Sequence, residues 1–413
     1  MVYSCFDWGP STFTTAERIL TDVLGASARL GDPEPQWDGA DNCKRNVLRC
    51  RVESGCSGAP QTVILKRIAS PKTPYDPNDF QCGTIAWRHG SEWAACRFLA
   101  GLDAGHRLAP RCYGADRMEA LLVLEDIGKG PAVADVLRGS DPVRAEGALL
   151  SYADSLGRLH AETLGREGSY NKVRNEIELP LVPLRFDDLY HIREHIEKVR
   201  AILGALGFDF TESTMTELEG VLETVRDPGP FLVLTHGDPN PVNDLIHGDN
   251  VHLYDFEYSG YRHALMDGVY NGHLYPWTRY RLPANVLALV EARYRARLAD
   301  TCPEANDEER FRREQIGMRA VWMLVTLRGL LERARAQDRY EDDGYENVPG
   351  VTPTLRQRAL ILFNRFAEDS EAYACLPLLG TAAREIGTLL QTEWQVEPLL
   401  LPLYPAFRDR YSS

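Results

Sequence analysis

His236, Asp238, Asn243 and Asp255 have the residue types and spacing for one kind of chemistry. They lie in Leu234-Thr-His-Gly-Asp-Pro-Asn-Pro-Val-Asn243 and in the following Tyr254-Asp-Phe-Glu257. Moving a phosphoryl group from a nucleotide to a hydroxyl asks little covalent chemistry of a protein. It requires a carboxylate that orients the attacking hydroxyl, and oxygen ligands that hold Mg²⁺ on the phosphates. Asp238 fits the first role. Asn243 and Asp255 fit the second, because Mg²⁺ is hard and takes few protein oxygens beside phosphate and water. His236 would brace the loop. The bland alternative is that Asp238 and Asn243 only shape a turn and Asp255 ends a strand. A second His-Gly-Asp, at His247 to Asp249, is an internal control: the position five past Asp249 is Tyr254, not Asn.

Several elements must position these residues. Phe231-Leu-Val-Leu-Thr235 reads as a short buried strand that delivers the loop. Pro239 and Pro241 forbid a helix, so 238–243 must be an extended, shaped loop. Leu245 to His247 and Val251 to Asp255 read as two strands around the turn His247-Gly-Asp-Asn250, a hairpin that folds Asp255 back beside Asn243. Upstream, Thr14-Thr-Ala-Glu17 reads as a capping box before a helix carrying Ile19, Leu20, Val23 and Leu24. Asn46 to Val52 and Thr62 to Ile68 read as strands, Thr84 to Leu102 as a helix, and Leu121 to Gly128 as an apolar strand ending in a polar turn. Beyond Gly130 the pattern is mainly helical, with Ser151 to Thr163 amphipathic and long helical stretches over 308–336 and from Thr354 to about Trp394. His191 and His195, at i and i+4, lack the His-Glu-x-x-His order of zinc peptidases and read as a solvated helix face. No internal repeat or low-complexity segment is visible.

A chain of 413 residues can build two substantial lobes. Its formal net charge of −14 argues against nucleic acid as a partner, because phosphate binding needs concentrated Lys and Arg. The acidity would suit a cationic substrate, and equally serves plain solubility. No run approaches the ~18 apolar residues of a membrane span. The first residues carry neither a basic nor an apolar signal region, so the expectation is a cytoplasmic protein without membrane contact. Nine cysteines, none in a Cys-x-x-Cys pair, read as reduced thiols.

In these motifs the chain resembles the aminoglycoside phosphotransferase and choline kinase superfamily, whose members carry a His-Gly-Asp-x-x-x-x-Asn loop followed by Asp-Phe-Glu or a similar triplet. The resemblance implies an α+β, protein-kinase-like two-lobed fold: a helical leader over 1–35, a small β-rich nucleotide-binding lobe over 36–128, and a large, mainly helical lobe over 129–413 with the catalytic loop and substrate pocket. It implies that Lys66 holds the α- and β-phosphates and that Glu92 forms the ion pair positioning Lys66, the alternative for Glu92 being a surface carboxylate. It implies adenine contacts from the main chain at Glu125 and Ile127, which discriminate poorly between ATP and GTP, and a structural role for His160. Asp267 would cap the next helix and support the catalytic loop. The phosphate-covering loop departs from the glycine-rich pattern: Gly39-Ala-Asp-Asn-Cys-Lys-Arg-Asn46 has one glycine, with Asn46 as the implied contact and Lys44 or Arg45 as possible additions. Asp255-Phe-Glu-Tyr-Ser-Gly-Tyr261 looks like the choline/ethanolamine kinase version of the triplet. Tyr258, Tyr261, Tyr270, Tyr275, Trp277 and Tyr280 could hold a cation by ~0.5–2 kcal/mol per contact, or could fill the core. The acidic stretch Asp338 to Glu346 could attract a cation or be a plain exposed loop.

The expected activity is Mg²⁺-dependent transfer of the γ-phosphate of ATP or GTP to a small-molecule hydroxyl, on an aminoglycoside, amino-alcohol or sugar, by a monomer or homodimer. The alternatives are a non-catalytic nucleotide-binding protein of the same fold, and a kinase acting on protein side chains. Against the latter, the chain shows no long segment with an Ala-Pro-Glu anchor after Glu257.

Overall fold

Alternation along the N-terminal strands decides which side chains meet the core and which meet the cleft. The computed structural model describes residues 8–35, 46–68, 75–102, 108–179, 191–269, 279–340 and 347–411. Strands β1 (Ala28–Leu30), β2 (Glu34–Pro35), β3 (Val47–Ser54), β4 (Thr62–Arg67), β5 (Cys112–Asp116) and β6 (Leu121–Glu125) form one antiparallel sheet. Its order is β1-β3-β4-β6-β5, with β2 also paired to β3. Leu48, Cys50, Val63, Leu65, Leu121 and Val123 pack on Ala16, Ile19 and Leu20 of helix α1 (Pro10–Leu24). Successive side chains on a strand point to opposite faces. Arg49, Ile64 and Lys66 therefore occupy the face away from α1, where Val47 pairs with Lys66 and Arg49 with Ile64.

Helix α1 begins four residues before the expected Thr14. Pro10 takes the first helical position, where its missing N–H costs no bond, and Gly9 is the N-cap. Thr14 lies inside the helix, its hydroxyl donating to the Pro10 carbonyl at 3.0 Å, so the Thr14–Glu17 capping box does not form. Helix α2 (Ile85–Ala100) starts at an N-cap made by Thr84 and joins the sheet to the larger lobe, burying Ala94, Ala95, Phe98 and Leu99 in that lobe's core.

The second lobe is built from helices: α3 (Val133–Leu137), α4 (Pro142–Thr163), α5 (Glu167–Glu176), α6 (Ile192–Gly204), α7 (Glu212–Arg226), α8 (Leu265–Gly268), α9 (Ala284–Ala299), α10 (Glu308–Ala336), α11 (Leu355–Ala372) and α12 (Pro377–Trp394). Two small antiparallel pairs interrupt them, β7 (Leu232–Thr235) with β10 (Gly260–His263), and β8 (Asp244–His247) with β9 (Asn250–Leu253). In α10 every residue from Gln315 to Val321 is buried, so this helix has no solvent face there and shows no apolar stripe. Its buried Arg319 pairs with Glu291 and Asp369. His195 departs from the solvated face expected of it: it is buried, with Nε2 against the Arg328 guanidinium, while His191 stays exposed at the helix start. Among the described residues no helix is long and apolar enough to cross a membrane, and seven cysteines are free thiols.

Candidate active site

The loop after β7 is fixed by its own backbone first. Thr235 pairs with Gly260, and its hydroxyl donates to the Gly260 carbonyl at 2.8 Å. Gly237 follows at φ +86, and a Cβ there would lie 2.0 Å from the Tyr258 carbonyl oxygen. Only glycine accommodates both the left-handed backbone and that approach. The two oxygens of buried Asp267 accept from the His236 and Gly237 amides, at 2.5 and 3.2 Å. His160 Nε2 lies 3.2 Å from Asp267, and its Nδ1 lies 2.8 Å from the Tyr294 hydroxyl. Asp267 thus supports the loop, and among the described residues it caps no helix: it sits inside α8, whose N-cap is Ala264.

His236 donates from Nε2 to the Tyr254 carbonyl at 2.8 Å, joining the loop to the residue before Asp255. The Tyr152 hydroxyl donates to the Pro239 carbonyl from below. Within the loop, Asn243 Nδ2 donates to the Asp238 carbonyl at 3.0 Å and to Asp238 Oδ2 at 3.1 Å. The β8–β9 hairpin pairs Asp244 with Leu253, and the Tyr254 amide donates to the Asn243 carbonyl at 3.1 Å. Asp255 therefore leaves the hairpin one residue beyond Asn243's partner, in the left-handed region at φ +69. This conformation costs a non-glycine residue of order 1 kcal/mol.

Lys66 arrives from the sheet. Its ammonium donates to Glu92 of α2 at 2.6 Å and to the Asp255 carboxylate. Burial pulls its pKa down, and Asp255 and Glu92 outweigh that to hold it above the ordinary lysine value. For Asp255 burial pushes upward, and Lys66 more than offsets it, leaving the carboxyl below its usual range. Burial of Glu92, at 1% exposure, pushes its carboxyl up, with Lys66 drawing it back. Glu92 is therefore not a surface carboxylate. One turn earlier on α2, Arg88 pairs with Glu257, and its guanidinium lies 5.3 Å from the centre of the Tyr258 ring. Ser259 Oγ donates to the Ser91 carbonyl at 3.2 Å.

Carboxylate oxygens of Glu92, Asp255 and Glu257 come within 4.8 Å of one another. Lys66 pairs with Glu92 and Asp255 and Arg88 pairs with Glu257, so two cations face three carboxylates. Asn243 and Asp255 carry the donor types a magnesium ion takes. The Asn243 amide nitrogen is engaged with Asp238, which leaves Oδ1 as a ligand atom, and Lys66 donates to Oδ1 of Asp255. An amide oxygen and a carboxylate oxygen suit a hard divalent ion.

The remaining expected contacts lie at the ends of interior strands β3 and β6. The Asn46 carbonyl accepts from the Arg67 amide at 2.9 Å, and its Oδ1 is buried with no partner among the described residues. The Glu125 amide donates to the Arg111 carbonyl at 2.7 Å and its carboxylate accepts the Arg111 amide at 3.1 Å. The Ile127 main chain has no hydrogen bond among the described residues. Lys44, Arg45, Tyr270, Tyr275, Trp277 and residues 341–346 lie outside the described residues. Of the other aromatics, Tyr261 is buried against Phe98 and Tyr170, with its hydroxyl on the Thr163 carbonyl, and Tyr280 packs on Tyr404. Sequence reading missed Arg88. Its i, i+4 spacing from Glu92, which places both on one helix face, was the available signal.

No family model matches the chain, and no curated protein matches it. Solved structures are similar to it over most of its length. A choline/ethanolamine kinase family protein from Mesorhizobium loti covers 86% of this chain and 93% of its own, at 15% identity and a TM-score of 0.44. An ethanolamine kinase from Plasmodium vivax covers 89% and 92%, at 13% identity and 0.45. A ternary complex of streptomycin, ATP and APH(2")-IIa covers 81% and 98%, at 10% identity and 0.42.

Proposed function

We propose that this chain transfers the γ-phosphoryl group of a nucleoside triphosphate to the hydroxyl of a small molecule. One observation carries the reading. A lysine of the sheet, ion-paired to α2, meets a carboxylate beside a loop in which an amide holds a second carboxylate. That is a cation for phosphates, a ligand for a divalent ion and an orienter for a hydroxyl, brought together from elements far apart in sequence.

Asp238 accepts a hydrogen bond from the acceptor hydroxyl and aims its oxygen at the γ-phosphorus. As the new oxygen–phosphorus bond forms and the bond to the leaving diphosphate breaks, the hydroxyl proton passes to Asp238 late. This needs no strongly raised pKa in a loose transition state. Asn243 fixes the Asp238 carboxylate through Nδ2. Lys66, held by Glu92, places positive charge against the phosphates. Asn243 Oδ1 and Asp255 would hold Mg²⁺, whose charge would offset that of the phosphates. His236 and Asp267 keep the loop in place.

The test is mass spectrometry of the chain incubated with Mg²⁺, ATP or GTP, and pooled amino-alcohols, aminoglycosides, sugars and nucleosides. A product heavier by one phosphate is expected, with turnover about 10²–10⁴-fold lower for Asp238→Asn while nucleotide binding stays near the parent value. Equal turnover in that variant removes Asp238 from the chemistry. Failure to bind either nucleotide removes the phosphotransferase reading.

A further inference from the structure

The polypeptide leaves β6 through Asp126, whose carboxylate accepts four hydrogen bonds. Oδ2 accepts from Arg49 Nε at 2.6 Å and Thr62 Oγ1 at 2.7 Å, and Oδ1 accepts from Arg49 Nη2 at 2.7 Å and the Gly128 amide at 2.9 Å. Arg49 Nη2 also donates to the Gly128 carbonyl at 2.8 Å. The Arg49 and Asp126 side chains are 9% and 7% exposed, so this is a buried, two-pronged pair with a fixed plane. Gly128 adopts φ +101, which the Asx-type bond from its amide to Asp126 closes into a tight turn.

Ile127 lies between these two clamped residues. Its own main chain makes no bond among the described residues, yet both neighbours are held, so its peptide groups are presented in one orientation. Arg49 shares a sheet face with Lys66. It stands opposite Ile64, two residues from Lys66 and so about 7 Å along the strand toward the Thr62 end. A ligand with phosphates at Lys66 and its base at Ile127 therefore passes Arg49. The Nη1 atom of Arg49 is shielded from solvent and has no partner among the described residues.

We propose that Arg49 is a positioning residue for the nucleotide base: with Asp126, Thr62 and Gly128 it locks the segment around Ile127 so that the base is read by main-chain groups already in place. This rests on the nucleotide reading above and adds the residue that shapes the base end of the cleft. Preorganisation of this kind raises affinity by removing an ordering cost at binding. A lysine at 49 would keep the charge and lose the fork, so it does not substitute.

Calorimetric titration of the full chain with MgATP and with magnesium tripolyphosphate, which lacks a base, tests the assignment. Arg49→Lys is expected to weaken MgATP by tenfold or more and to leave tripolyphosphate within about twofold. Thr62→Val, nearly isosteric, removes one of the four bonds and is expected to weaken MgATP a few-fold. It decides the matter alone if Arg49→Lys does not fold. Unchanged MgATP affinity in folded variants overturns the proposal, as does equal weakening of both ligands, the mark of a general structural role. A parent chain that binds MgATP while its variants match it sinks this inference only. A parent chain that binds neither ligand, nor MgGTP, sinks the nucleotide reading as well.

Discussion

Gly237 has no room for a methyl group, because the Tyr258 carbonyl occupies that space and the backbone is left-handed. Gly237→Ala is expected to lower stability by about 2 kcal/mol or more, read as a fall in the urea midpoint. A variant with the parent midpoint would mean that the loop and the Tyr258 segment can part without cost. At this scale the sequence was most legible where partners are close in sequence. Asp238 and Asn243 are five residues apart, with prolines between that allow one kind of path, and a short hairpin returns the chain to Asp255. Arg88 and Glu257 are 169 residues apart and Arg49 and Asp126 are 77 apart, so nothing local announced either pair. The Asp126 side chain was passed over because hinge contacts were assigned to the main chain. Its carboxylate instead shapes that main chain.

Among the elements, α2 carries the densest set of roles, and one of its residues makes its docking sensitive to acid. His89 is buried, with its ring on the Leu121 carbonyl at 3.0 Å, and burial pushes its pKa down to about 4. An unfolded chain takes up that proton near the ordinary value of 6.5, so the unfolded state binds more protons between 6.5 and about 4. This contribution is whole above pH 6.5 and falls as the pH drops through that window. His89→Gln is expected to flatten the acid side of the melting-temperature profile. An unchanged slope would show that the ring titrates normally in the folded protein. The strands were readable from alternation and α2 from helical spacing, while the cap made by Thr84 came only from the structure. The start of α1 was misplaced because a Thr-x-x-Glu pattern resembles a cap wherever it falls, while Pro10 settles the matter by geometry. His195 was misread because its partner, Arg328, comes from a helix 133 residues away.

Across the whole molecule, the two lobes are joined at the cleft by Lys66 with Asp255, Arg88 with Glu257, and Ser259 with Ser91. Removing one member of a half-buried pair strands the other charge at a cost below the about 3–5 kcal/mol of a fully buried one. Arg88→Met is therefore expected to lose about 1–2 kcal/mol in urea unfolding, with much of it regained when Glu257→Gln is added. A double variant no better than the single one would show that Glu257 was not stranded. The two-lobed plan was legible as a change from alternating to helical patterning after Gly130, whereas α10, buried all round, offered no stripe to read. The hold on the loop after β7 has a kinematic consequence. Both oxygens of Asp267, backed by His160 and Tyr294, tie His236 and Gly237 to the helices, whereas Lys66 rides on the sheet. Under the proposed phosphotransfer, the distance between Lys66 and Asp238 would therefore depend on the angle between lobes. An ångström of misalignment there costs about 10²-fold in rate, so a substitution far from the cleft that tilts one lobe would slow the reaction without touching a reacting atom.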